Sequence, residues 1–177
     1  MQRRTLLKLG AAGALFLGLA AGTLALLTPS RRGGVLTPAG RQLFAALAQA
    51  VLEGMLPAEP LARARAIQAQ LDRVQGTIAG LPPAMQAEVD ELIALAASAP
   101  GRVALVGLMK DWSQASSAQV NDALQGMRTS SLALLQQAYH ALRDMTNAAY
   151  FADPTAWPGI GYPGPRPVQA ESSGRHP

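Results

Sequence analysis

Apolar residues recur at helical spacing along most of this chain, and prolines and glycines cut the recurrence into segments. Leu43, Phe44, Leu47, Val51, Leu52 and Met55 fall one, three or four positions apart, which puts them on one face of a helix. Thr37 followed by Pro38 predicts its start, as an N-cap and a proline at the first helical position. Pro57 and Pro60 predict its end. Ile67, Leu71, Val74 and Ile78 form the stripe of a second helix over about 61–78, and Leu81-Pro82-Pro83 is a stop and a restart. Met85, Val89, Leu92, Ile93 and Leu95 predict a third helix that fails at Pro100-Gly101. A short fourth segment carries Val103, Leu105, Val106, Leu108 and Met109, nearly continuous in apolar character and so expected to be buried on most sides.

Ser116-Ser117-Ala118-Gln119 reads as a capping box opening a fifth helix. A sixth is expected over about 131–151, with Leu132, Leu135, Ala138, Tyr139 and Leu142 along its stripe. No run of alternating β-branched residues competes, and no internal repeat is evident. The expected fold is all-α: a compact bundle of five or six helices spanning residues 38–151, joined by short connections. Residues 28–37, with Pro29, Ser30, Gly33 and Gly34, read as a linker.

The first residues add an address. Arg3-Arg4-Thr5, the leucines Leu6 and Leu7, and Lys8 precede 19 uncharged positions, Leu9 to Leu27. Paired arginines, an apolar pair and a lysine before such a stretch form a twin-arginine export signal, the route taken by proteins that have already folded. This reading is favoured over an ordinary secretory signal. The stretch is long enough to cross a bilayer as a helix, yet its many glycines and alanines suit an export leader better than a permanent anchor. Thr23-Leu24-Ala25 and Gly18-Leu19-Ala20 are loose matches to a cleavage site. The expected destination is the periplasm, with an uncleaved leader holding the chain at the inner membrane as the alternative.

Charge changes little once the leader is set aside. The net charge of +4 includes Arg3, Arg4 and Lys8, and the remaining 12 basic and 11 acidic residues leave +1. That balance gives no long-range field for phosphate backbones, so no nucleic-acid partner is expected. Arg63, Arg65 and Arg73 read as a solvated helix face. The chain has no cysteine, which excludes disulfides, thiolate metal sites, iron–sulfur clusters and covalent haem attachment. The two histidines, His140 and His176, are not at ligand spacing. His140 reads as a partly buried structural histidine. No Gly-x-Gly-x-x-Gly follows a strand, so no flavin or nicotinamide site is expected in this chain.

After residue 151 the composition shifts. Asp153 to Pro167 holds five prolines and three glycines, together with Trp157 and Tyr162. Residues 152–177 are therefore expected to form an extended, non-helical strap, since proline favours polyproline geometry. Aromatics embedded in such a strap need a surface to cover. Near Trp157 that surface is expected to be the chain's own helices, and beyond it a partner protein.

Ala149-Tyr150-Phe151-Ala152-Asp153-Pro154, then Trp157 and Gly161-Tyr162-Pro163-Gly164-Pro165, resembles the C-terminal signature of the gluconate 2-dehydrogenase subunit 3 family. In that family a helix ends in an aromatic pair, an Asn/Asp-Pro turn follows, and a Gly-Tyr-Pro-Gly-Pro strap closes the chain. The resemblance covers the 17 residues from Ala149 to Pro165, plus the leader. The body between them matches in helix content and size. The resemblance implies a small subunit without catalytic, cofactor-binding or metal-binding residues of its own. It accompanies a large flavoprotein dehydrogenase that carries FAD and acts on sugars or sugar acids, often with a cytochrome c subunit. The small subunit takes the leaderless flavoprotein through the twin-arginine translocase as a folded complex. The residues then expected to meet the partner are Tyr150, Phe151, Trp157, Tyr162, Pro163 and Pro165.

Two other readings remain open at the level of sequence. One is a membrane-tethered helical adaptor unrelated to any dehydrogenase. The other is a small enzyme: Glu53, Glu91, Asp111, His140 and Asp144 are titratable, and His140 and Asp144 stand four apart on one helix. A surface i, i+4 pair with Arg143 beside the aspartate is the favoured explanation of those two.

Overall fold

Thr37 and Pro38 start the first helix as their sequence predicts, with the Thr37 side chain accepting from the Gly40 amide. The computed structural model describes residues 31–165. They form a mostly helical, compact domain of about seven helices. The leader residues Arg3, Arg4, Leu6, Leu7 and Lys8 lie outside the described residues, as does His176. In order, a two-stranded hairpin, β1 (Arg31–Arg32) and β2 (Val35–Leu36), precedes α1 (Pro38–Val51), α2 (Pro60–Ala79) and α3 (Pro83–Ala97). A single turn, α4 (Ala99–Gly101), runs into a π-helical turn over Arg102–Val106. Then come α5 (Ser117–Arg128), α6 (Ala133–Phe151) and a 3-10 helix over Pro154–Ile160.

The first helix is the hub, packing against α2, α3, α5 and α6. Its stripe explains why: Leu43, Phe44 and Leu47 are almost fully excluded from water. They meet Leu71, Val74 and Ile78 of α2, Ile93 of α3, Val120, Leu124 and Met127 of α5, and Leu142 of α6 in one continuous core. Each such side chain, fully buried, stabilises the fold by about 1.5–3 kcal/mol. Two starts use acceptors close in sequence. Glu59 accepts from the Leu61 and Ala62 amides at 2.9 and 2.6 Å, and those bonds hold its carboxyl below the usual value. Ser116 and Gln119 complete both halves of the expected capping box.

Three expectations need correction. The first helix stops at Val51 rather than near Pro57, because Gly54 takes a left-handed φ of 81° and turns the chain. Leu52 is still buried, but from a turn. The stretch before α1 is more than a linker. Gly33 and Gly34 both have positive φ, which makes a type I′ turn, and Arg31 pairs with Leu36 while Arg32 pairs with Val35. The fourth segment is only half buried. Leu105, Val106 and Leu108 are in the core, whereas Val103 and Met109 are 41% and 75% exposed.

That segment is shaped by Gly101, where a β-carbon would overlap the Leu95 carbonyl, so α4 can approach α3 closely only with glycine. Ser98 serves both sides of the join, donating to the Leu95 carbonyl at 2.7 Å and accepting from the Gly101 amide at 3.1 Å. The buried Trp112 donates to the Ala96 carbonyl at 2.9 Å, satisfying an end group of α3. Arg102 is buried too, with Nε donating to the Leu108 carbonyl at 3.3 Å and a guanidinium nitrogen 2.6 Å from Asp111.

Candidate functional site: an aromatic cap on the last helix

The end of α6 presents Tyr150 and Phe151 with their rings edge to face at 5.2 Å. The Tyr150 hydroxyl donates to the Met55 carbonyl at 3.1 Å, fastening the turn after α1 to the last helix. Two residues on, Asp153 caps a 3-10 helix: its Oδ1 accepts from the Thr155 amide at 2.9 Å and the Thr155 hydroxyl at 2.7 Å. Residues 154–160 are thus helical, against the expectation of an extended strap. The reason is geometric. Proline's fixed φ suits a tight 3-10 turn, and Pro154 sits at its first position, where a missing amide hydrogen costs nothing. The chain leaves helical geometry at Gly161, whose φ is 72°.

Trp157 organises the cap. Its Nε1 donates to the Phe151 carbonyl at 2.8 Å, and its ring meets the edge of Tyr162 at 5.3 Å. Gly164, at φ 93°, lies on the indole, where a β-carbon would come within 3.2 Å of the ring. Trp157 itself is half-buried, so this part folds back on its own helices as expected. Tyr162 and Ile160 stay 45% and 54% exposed, and Pro163 and Pro165 are exposed as well. Pro154, Trp157, Pro158, Gly161, Tyr162 and Pro163 line a shallow concavity of about 330 Å³ on this surface.

A polar relay ties the cap to the body. Arg73 bridges to Asp153 at 3.1 Å and also donates to the side-chain Oε1 of Gln70 at 3.4 Å. Gln70, fully buried, donates in turn to the Thr146 carbonyl of α6 at 2.8 Å. Arg73 therefore departs from the solvated face assigned to it, whereas Arg63 and Arg65 are exposed as expected. The Thr155 hydroxyl, followed by its amide, holds the Asp153 carboxyl below its ordinary value; desolvation opposes this and Arg73 adds a smaller lowering.

The titratable candidates elsewhere do not converge. His140 is exposed rather than partly buried, and leans on the edge of Tyr139 at 5.1 Å. Asp144 accepts from its neighbour Arg143 at 3.3 Å, and Asp111 is engaged by Arg102. Glu53 is exposed and Glu91 half-buried on different elements. Among the described residues no group of three or more His, Asp or Glu side chains is placed to hold a metal ion, and no helix is long and apolar enough to cross a membrane.

One concavity had no counterpart in the sequence reading. A trough of about 580 Å³ runs between the π-helical turn and α5, lined by Ala104 to Lys110 on one side and Gln119, Asp122, Ala123, Gly126 and Met127 on the other, with Leu135. The available sequence signal was the continuous apolar run from Val103 to Met109: Ala104 to Met109 line this trough, with Leu105, Val106 and Leu108 at its floor and buried in the core as well. No protein-family model, curated protein or solved structure matches the chain.

Proposed function

We propose that this chain is a non-catalytic small subunit that binds, stabilises and co-exports an FAD-dependent dehydrogenase acting on sugars or sugar acids in the periplasm. What supports the reading most is the cap. Tyr162, Ile160 and Pro163 form an exposed apolar edge whose backbone is already held by Trp157, Gly161 and the Asp153–Arg73 bridge. A partner that docks there loses little further chain entropy, and ordered aromatic anchors of this kind dominate protein interfaces. Of the cap residues, Tyr162, Pro163, Trp157, Gly161 and Asp153 also carry the resemblance to the gluconate 2-dehydrogenase subunit 3 family, and Ile160 does not. The twin-arginine leader supplies the route, since a folded flavoprotein without its own leader crosses only as a passenger. FAD belongs to that partner, and a cytochrome c subunit would complete the complex.

The test is export in trans. Changing Arg3 and Arg4 together to lysine should leave both this chain and its flavoprotein partner in the cytoplasm, as read by fractionation and dye-linked dehydrogenase activity. Flavoprotein activity that still reaches the periplasm at the wild-type level in the double variant would contradict the carrier role.

A further inference from the structure

The hairpin ahead of α1 has two faces in very different surroundings. Arg31 and Leu36 oppose each other in register and share one face, while Arg32 and Val35 share the other. The inner face is clamped. Leu36 is buried and its amide donates to Gln75 at 2.8 Å. The Arg31 side chain is 8% exposed, with Nε 3.0 Å from Asp90 and another guanidinium nitrogen donating to Gln86 at 3.0 Å. The outer face is open: Arg32 is exposed, and Val35 is 55% exposed although apolar. At the tip, nothing comes within 4 Å of where side chains at Gly33 and Gly34 would begin.

Chain length decides what this face meets. The apolar stretch ends at Leu27, and Arg31 is already fixed to α3, so Thr28, Pro29 and Ser30 are the whole spacer. Fully extended, the path from Leu27 to Arg31 reaches at most about 14 Å. The polar zone of one leaflet is itself about 5–8 Å thick. A domain tethered so closely cannot stand off from a bilayer that holds its leader, and the clamp on Arg31 fixes which side turns toward it.

We propose that the outer face of the β1–β2 hairpin is a lipid-contacting surface, with Arg32 at the headgroup phosphates and Val35 at the edge of the acyl region, whenever the leader is in the membrane. The inference rests on reading residues 9–27 as a membrane-inserting leader. An arginine beside an exposed apolar side chain is the pairing that the interface accepts, since one meets anionic headgroups and the other the boundary beneath them. Arg31 is a positioning residue: it touches Asp90 and Gln86, and so converts a short tether into a fixed orientation of the domain.

The absence of cysteine makes the test clean. The full chain is reconstituted in vesicles of phosphatidylethanolamine and phosphatidylglycerol, with a polarity-sensitive dye attached to Val35→Cys or, as the reference, to Gln125→Cys on α5. A quencher carried on the lipid headgroup should dim position 35 several-fold more than position 125. A long Gly–Ser insertion between Ser30 and Arg31 should abolish the difference while the chain still floats with the vesicles. Equal quenching at the two positions in floating chains overturns the lipid contact and leaves the leader reading intact. Failure of the chain to float with vesicles overturns the leader reading, and the lipid contact with it. A blue shift at position 35 that needs the flavoprotein and no lipid would assign the face to protein, and would also overturn the proposal.

Discussion

The helical body and the C-terminal cap are held together by different physics. In the body, Phe44, Leu43 and Leu47 are sealed among residues of four other helices, and stability is spread over many non-directional contacts. In the cap, order depends on a few directed interactions: one indole hydrogen bond, one ion pair, one Asp cap and two glycines with positive φ. The first arrangement makes a scaffold that is costly to perturb anywhere. The second makes a small surface that is ordered while leaving apolar side chains in water, which a folded core would not do. Damage to the body should therefore appear as lost stability, and damage to the cap as lost binding.

The largest effect tests the body. Phe44→Ala removes the biggest fully buried side chain of the hub helix and should destabilise the domain by about 3–5 kcal/mol. That is a large part of the stability of a domain this size, so urea or thermal denaturation should show a sharply earlier transition. A near-normal transition would mean that the core is not centred on α1.

A smaller effect is expected when the cap itself is cut into. Trp157→Ala deletes a half-buried ring and its bond to Phe151, and should cost about 1–2 kcal/mol, well below the Phe44 substitution because the indole is only part-buried. Helical circular dichroism should be retained. Loss of helix on a par with Phe44→Ala would make the cap part of the main core and erase the distinction between the two regions.

These two regions also differed in how much their sequences disclosed. Helix starts at Pro38 and Ser117 were legible because their acceptors, Thr37 and Ser116, sit within three residues of the amides they bind. The core stripes of α1 and α2 were legible from periodicity, as was that of α6 from Leu135 on; Leu132, expected on the same stripe, sits at the N-cap of the helix and is 62% exposed. The π-helical turn was not legible, since it answers to packing at Gly101 rather than to local pattern; Gly54 did carry a local stop signal, which the prolines after it overshadowed. The aromatic cluster was legible by residue type, yet its shape was misread. Proline content suggested an extended strap, and the 3-10 turn depends on Asp153 and Thr155 closing a local cap. The Arg73–Asp153 bridge joins positions 80 apart in the chain, and no local pattern announces it. The Gly33-Gly34 pair did carry a hairpin signal, which the reading of a linker passed over.

The smallest stability effect is electrostatic. Asp153 and Glu59 both have carboxyls held below their ordinary values of 3.8 and 4.5 by capping bonds. Such groups contribute stability that is fully present above the ordinary values and lost as pH falls through the lower, folded ones. The melting temperature should be flat from neutral pH down to about 5 and then decline. Asp153→Asn should lower the neutral plateau slightly and flatten part of that decline. A plateau and slope identical to wild type would remove the carboxylate from the account of how the cap is held.

The most direct test of the central claim leaves the fold alone and asks only about the surface. Ile160 and Tyr162 are each about half exposed, at 54% and 45%, so replacing them together by alanine should lower the melting temperature far less than Phe44→Ala does and leave the helical domain folded. If the cap is the docking surface, affinity for the flavoprotein partner in co-purification and titration should drop by about thirtyfold or more, the loss typical of one interfacial anchor of 2 kcal/mol. Full-strength capture by a normally folded double variant would contradict the account and move the interface away from the cap.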